Sequence, residues 1–91
     1  MKYYFKSSFQ RHFKRLEGIQ QKQVVEAIEA LKSVFEAGYR PEGLGFKRLA
    51  QKLWEIRSSL KQRIVFSFEN DVITFVIVGN HDDVVKFLKS V

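Results

Sequence analysis

The chain holds 91 residues, 45% of them hydrophobic and 14% aromatic, with 16 Lys+Arg against 10 Asp+Glu for a formal net charge of +6 at neutral pH. That balance disfavours intrinsic disorder and describes one small basic domain over residues 1–91, burying ~60–65% of its extended-chain surface. The absence of Cys excludes a disulfide scaffold, a thiolate zinc site, an iron–sulfur cluster and a cysteine nucleophile, and accords with a reducing compartment.

In chain order, Tyr3 and Phe5 alternate with Lys2, Tyr4 and Lys6, which predicts a short strand. Ser7 or Ser8 offers an N-cap hydroxyl, and Phe9, Phe13 and Leu16 fall on one helical stripe that Gly18 closes. A second helix is predicted from about Gln20 to Ala37, with Val24, Ile28, Leu31 and Phe35 as its apolar stripe and Gly38 as its C-cap, so the two helices form a hairpin. Gly38 to Gly45 contain the single Pro and three of the five Gly and read as a loop. The period then changes to two. Phe46, Arg48 and Leu53 to Arg57 alternate, with Trp54 and Ile56 on one face and Leu53, Glu55 and Arg57 on the other.

Arg63 to Phe68 and the apolar run Val72 to Val78 follow as strands, joined by a turn at Glu69-Asn70-Asp71. Gly79-Asn80 ends the last strand, and Asp82 or Asp83 starts a C-terminal helix with Val84, Val85, Leu88 and Val91 mostly on one side. The order β-α-α-β-β-β-α specifies an α+β fold: a small, largely antiparallel sheet with a helical hairpin packed on one face and the other face open. No apolar run approaches the ~18 residues needed to cross a bilayer, and Met1 to Lys6 lack the apolar core of a signal peptide. A cytoplasmic protein with no membrane partner is the expectation.

The positive charge is unevenly placed. Residues 1–23 carry Lys2, Lys6, Arg11, Lys14, Arg15 and Lys22 against Glu17, and residues 46–66 carry Lys47, Arg48, Lys52, Arg57, Lys61 and Arg63 against Glu55, a net +5 in each block. Residues 24–45 and residues 67–91 are each −2. Blocks of this kind suit a polyanion, because neutralising phosphates releases condensed counterions, and they equally suit a solvated basic surface.

Strand parity sharpens the choice. If Trp54, Ile56, Ile64, Phe66 and Phe68 face the helices, then Glu55, Arg57, Arg63, Val65 and Ser67 face away from them, with His81 just past the last strand able to reach the same region. A carboxylate beside arginines is ordinarily a surface ion pair worth ~0–1 kcal/mol. Here the carboxylate is alone inside the most basic segment and a histidine can converge on it. Those are the parts of a metal-free ribonuclease that needs no cofactor. RNA supplies its own nucleophile, the 2′-OH, so cleavage requires a base, an acid for the departing 5′-oxygen, and cations for the charge on phosphorus. A glutamate is ionised at neutral pH and suits the base, a histidine is partly protonated there and suits the acid, and Arg63 and Arg57 suit the phosphate.

With the element order, the segments Leu53-Trp54-Glu55-Ile56-Arg57-Ser58-Ser59, Gln62-Arg63-Ile64-Val65-Phe66 and Val76-Ile77-Val78-Gly79-Asn80-His81-Asp82-Asp83-Val84 resemble the RelE/ParE superfamily of type II toxin–antitoxin toxins, and within it the RelE/HigB-like messenger-RNA interferases. The resemblance implies cleavage of messenger RNA in the ribosomal decoding site and inhibition by a cognate antitoxin. It places Glu55 where some members carry a catalytic Glu, Arg63 at the arginine that stabilises the scissile phosphate, His81 where members have Arg or His, and Arg57 at a frequently basic position. Phe87 stands where many members have a Tyr; it can stack on a base but cannot exchange a proton.

Lys47, Arg48, Lys52, Lys61, Lys6, Arg11, Lys14 and Arg15 are the candidate phosphate and ribosomal-RNA contacts, Trp54 is assigned to the core, and His12 to ordinary surface. Two other functions suit the same scaffold: a ParE-like gyrase poison, for which Glu55 is dispensable, and a non-catalytic RNA- or ribosome-binding module.

Overall fold

The computed structural model describes residues 1–38 and 44–90. The loop expected at Gly38 to Gly45 lies outside the described residues over 39–43, as does Val91 of the expected C-terminal stripe. The elements are β1 (Lys2–Phe5), α1 (Ser7–Arg15), α2 (Gly18–Ala37), β2 (Lys47–Arg48), β3 (Leu53–Ser59), β4 (Gln62–Glu69), β5 (Val72–Gly79) and α3 (His81–Lys89). They build one five-stranded sheet in the order β1-β5-β4-β3-β2, parallel only between β1 and β5. The α+β architecture is the expected one, with β2 added at an edge.

The helical hairpin forms where the apolar stripe dictates, but its corner differs from expectation. Gly18 does not close α1. The chain leaves α1 through an extended Leu16, and Glu17 caps α2, its N–H donating to Gln20 Oε1 at 3.1 Å while Gln21 Nε2 donates back to the Phe13 carbonyl at 3.0 Å. These bonds satisfy the corner, so no left-handed glycine is needed there. Neither Ser7 nor Ser8 caps α1; the Ser8 hydroxyl instead donates to the Val76 carbonyl and ties the helix to β5. At the far end of α2, Gly38 takes a left-handed φ of 71° and returns its N–H to Val34, as a C-cap glycine does.

Between β4 and β5 the two-residue turn uses Asn70 and Asp71, both left-handed at φ 51° and 61°, the residue types that tolerate this conformation in tight hairpins. α1 and α2 bury Phe9, Val24, Ile28 and Leu31 against Ile56, Ile64, Phe66, Ile73, Phe75 and Val78, with Trp54 half-buried at the edge of that core. Tyr3 donates to Glu36 beside it, and burial first, then the Glu36 carboxylate, pushes the phenol up.

The opposite face is not open along its whole width. α3 packs there over β4 and β5, its Val84, Phe87 and Leu88 covering Val65, Val76 and Ile77. The cause is two-sided apolarity: a strand such as Val72 to Val78 has no polar face to leave in water. α3 also starts earlier than expected. Asn80 is its N-cap, accepting from Asp83 N–H at 2.9 Å while Asp83 accepts from Asn80 N–H at 3.0 Å, so His81 is the first helical residue.

Candidate functional site

The antiparallel register of β2, β3 and β4 builds the site row by row. Lys47 lies opposite Glu55, Glu55 opposite Val65, and Arg57 opposite Arg63, which is in turn opposite Gly79. Residues directly opposite in such pairs share a face. Lys47, Glu55, Arg57 and Arg63 therefore occupy the face that carries α3, beside the part of it that α3 covers.

Glu55 is a buried carboxylate, 5% exposed, whose Oε2 faces Arg63 Nε at 3.4 Å. Around it, Lys47, Arg57, Ser58, Ser59, Leu60, Gly45 and Phe46 line an open cavity of about 740 Å³. Arg63 extends to a second cavity of about 300 Å³, lined with Leu60, Lys61, Asn80, His81 and Asp82. Arg63 thus touches the carboxylate and shares a cavity with the imidazole. Arg63 is therefore the residue common to the Glu55 pair and the His81 cavity.

Two backbone features aim these side chains. β3 carries an extra residue at Ser58, between the Arg57↔Arg63 and Ser59↔Gln62 pairs, and the Ser58 hydroxyl donates to the buried Gln62 Oε1 at 3.3 Å. Such bulges re-aim the strand end next to a site. Gly45, left-handed at φ 64°, lies under Arg57: a Cβ there would come within 3.0 Å of Arg57 Cγ and 3.1 Å of Cδ. The Arg57 N–H also donates to Leu44 O at 2.7 Å. Neither device is legible from residue type alone, although a glycine two residues before the basic strand pair Lys47-Arg48 is the available signal.

The remaining candidates scatter. Arg48 turns to the helical face, its guanidinium 5.6 Å from the Trp54 ring and hydrogen-bonded to the Ala50 and Gln51 carbonyls, so it holds the turn before β3. Lys52 pairs with Glu69 at 2.6 Å. Lys61 stays at the β3–β4 tip, in the His81 cavity. Lys6 precedes α1, and Arg11, Lys14 and Arg15 are exposed along it. Lys14 borders an apolar groove between the two hairpin helices, lined by Phe9, Phe13, Val25 and Ile28.

Phe87 is half-buried against Val65 and Ile77 and lines a separate groove with Ser8, Arg11, His12 and Lys86. The two cavities at Glu55 and His81 thus draw their basic side chains from the second charged block, whereas the first block is spread over β1 (Lys2), the residue before α1 (Lys6), α1 (Arg11, Lys14, Arg15) and α2 (Lys22). Among the described residues, no three His, Asp or Glu side chains gather as a metal-binding group. No helix among them is long and apolar enough to cross a membrane.

No protein-family model and no curated protein matches the sequence. Solved structures do match the fold. A copper-bound mutant toxin from Helicobacter pylori superposes with a TM-score of 0.71 at 21% identity over 91% of this chain and 97% of that one. RelE in the RelB-RelE antitoxin-toxin complex from Methanococcus jannaschii gives 0.71 at 19% identity, over 92% and 96%. A YoeB dimer from Staphylococcus aureus gives 0.68 at 16% identity, over 89% and 97%. The likeness spans nearly the whole of each chain. This chain has the fold of the RelE/ParE-type toxins.

Proposed function

We propose that the chain is the toxin of a type II toxin–antitoxin pair, a metal-independent endoribonuclease that cuts messenger RNA, in the ribosomal decoding site, and so stops translation in the cytoplasm. The observation that carries this is the Glu55–Arg63 pair, with Arg63 also lining the cavity of His81. Glu55 accepts the 2′-OH proton, and the 2′-oxygen attacks the adjacent phosphorus. Arg63 and Arg57 balance the charge on the pentacoordinate phosphate, and His81 protonates the 5′-oxygen as the P–O5′ bond breaks. The products are a 2′,3′-cyclic phosphate and a 5′-hydroxyl.

Phosphate binding also explains how the base is freed. A guanidinium held by one carboxylate has donors left for a phosphate, and as it turns toward the phosphate it releases the carboxylate to take a proton. Lys47 and Lys61 line the same cavities and extend the grip along the backbone. Phe87, Arg11 and the other α1 cations serve ribosomal or messenger RNA further from the cut, with Lys52 and Arg48 as peripheral contacts. A protein antitoxin as partner is supported by the Methanococcus jannaschii relative in fold, which is bound to one.

Primer extension on messenger RNA after induction tests this. The wild-type chain produces discrete cuts; Glu55→Gln and His81→Ala, folded as judged by circular dichroism, each lower cleavage by about 100-fold or more. Intact messenger RNA with DNA breaks and SOS induction indicates a gyrase poison, and RNA retained without cleavage products indicates a non-catalytic module. Either result overturns the nuclease.

A further inference from the structure

Between the two cavities stands one residue that the chemistry above does not use. Leu60 occupies the two-residue tip Leu60–Lys61 that joins β3 to β4, and it lines both the Glu55 cavity and the His81 cavity. At 89% exposure it is the most exposed large hydrophobic side chain among the described residues. A lone exposed leucine needs no explanation by itself. Its position does, because the other residues around it in the two cavities are mostly charged or polar, and a leucine at a hairpin tip gains nothing from the fold it protrudes from.

We infer that Leu60 is the apolar platform on which one nucleobase flanking the scissile phosphate rests. The inference depends on the nuclease proposed above and goes beyond it, because it names the group that reads the base while Arg63 and Arg57 hold the phosphate. Three observations converge on it.

First, cations at the cavity walls fix where the backbone phosphate sits, and Arg63 lies in the same cavity as Leu60. A base attached to that phosphate is one sugar away, so the nearest apolar surface meets it. Second, in-line attack by a 2′-oxygen requires the nucleotide to leave its stacked, helical conformation, and apolar wedges inserted beside a base are a general means of holding it unstacked. Third, Leu60 sits on a rigid support. The Ser58 bulge and the Ser58–Gln62 hydrogen bond fix the strand ends immediately beneath the tip, so the backbone that carries Leu60 is held beside both cavities.

An aliphatic face offers contact without hydrogen-bond donors or acceptors. It therefore prefers bases by stacking surface and not by edge pattern, and a purine presents more surface than a pyrimidine. Leu60 sets a preference for a purine next to the cut.

The test uses purified full-length chain, translating ribosomes and a messenger RNA whose nucleotides around the cut are randomised, comparing wild type, Leu60→Ala and Leu60→Phe. For Leu60→Ala the purine preference is expected to flatten and the substrate level for half-maximal cleavage to rise about tenfold, with the maximal rate changed less. Leu60→Phe, with a larger face, restores or strengthens the preference.

Because Leu60 is so exposed, neither variant endangers the fold, and equal melting temperatures confirm it. Unchanged cut-site preference and half-saturation in Leu60→Ala overturn the inference and leave the nuclease standing. Loss of ribosome association by Leu60→Ala with the cut-site preference unaltered also overturns it and identifies the leucine as a protein anchor. No cleavage by the wild-type chain overturns the nuclease and this inference together.

Discussion

The same sheet carries two Glu–cation pairs that differ in kind. Lys52 and Glu69 meet at 2.6 Å near the β4–β5 turn, each side chain more than half exposed. Arg63 and Glu55 meet at 3.4 Å in the middle of the sheet, with side chains 17% and 6% exposed. The shorter pair is the less consequential. In water its attraction is screened and two flexible side chains must be held still, which leaves about 0–1 kcal/mol. The longer pair has given up hydration, and such a pair commonly stabilises a fold no better than well-packed apolar groups of the same volume. Val65, directly across the ladder from Glu55, shows what the sheet does at a position with only packing to satisfy. A carboxylate kept at the neighbouring position is there for its charge.

The largest expected effect comes from breaking the buried pair on one side. Arg63→Ala leaves Glu55 buried opposite an apolar neighbour, and loss of a buried partner costs several kcal/mol. Because Arg63 retains some access to water, part of that cost is relieved by hydration, and the expected loss is about 2–4 kcal/mol. For a domain of this size that lowers the melting temperature by ~10–20 °C, measurable by calorimetry. Cleavage is lost with it. Glu55→Gln separates the two effects: it preserves shape and hydrogen bonding, so cleavage falls as in the experiment above while stability changes by about 1 kcal/mol. Equal destabilisation by both variants would mean that the pair is structural and would remove the contrast with Lys52–Glu69.

A smaller effect is expected at Gly45, which lines the Glu55 cavity and lies under Arg57. An alanine there adds a Cβ in a left-handed conformation at a cost of about 1 kcal/mol, and that Cβ would lie 3.0 Å from Arg57 Cγ. The arginine stem has to move, and if Arg57 holds the phosphate as proposed, cleavage is expected to fall by about tenfold. The control is the double variant. Gly45→Ala combined with Arg57→Ala is expected to cleave no worse than Arg57→Ala alone, because both changes act through one side chain. Additive losses would show that Gly45 serves the loop and not the arginine.

The period-2 alternation of β3 and β4 was enough to put Trp54, Ile56, Ile64, Phe66 and Phe68 on one face and Glu55, Arg57 and Arg63 on the other, because parity follows from backbone geometry once the strands are located. The structure keeps both sets together. The docking side of α3 was less legible, although the apolar run Val72 to Val78 already implied cover on both faces of β5. Arg48 shows where parity stops helping. It belongs to a strand of two residues, and only the pairing with Trp54 decides that its side chain turns to the helices. Leu60 and Gly45 were invisible for a different reason. A leucine in a turn and a glycine after a loop are unremarkable residues, and their meaning lies in which side chains the register brings beside them. Gly18 stands where a C-cap glycine belongs, but Leu16 and Glu17 turn the chain before it.

The smallest expected effect is the one that holds the comparison to account. Glu69→Gln removes the charge from the 2.6 Å pair and leaves Lys52 in water. Because both groups are hydrated with or without each other, stability is expected to change by less than about 0.5 kcal/mol, and raising the salt concentration shrinks even that difference, since exposed charges are screened over a Debye length of about 8 Å at physiological ionic strength. Glu69 lines neither site cavity, so cleavage stays at the wild-type level. Chemical denaturation of Glu69→Gln at low and high salt checks the first expectation and primer extension the second. A loss comparable to that of Arg63→Ala would mean that distance and not burial governs these pairs, and that Glu55 does not stand at its position for its charge.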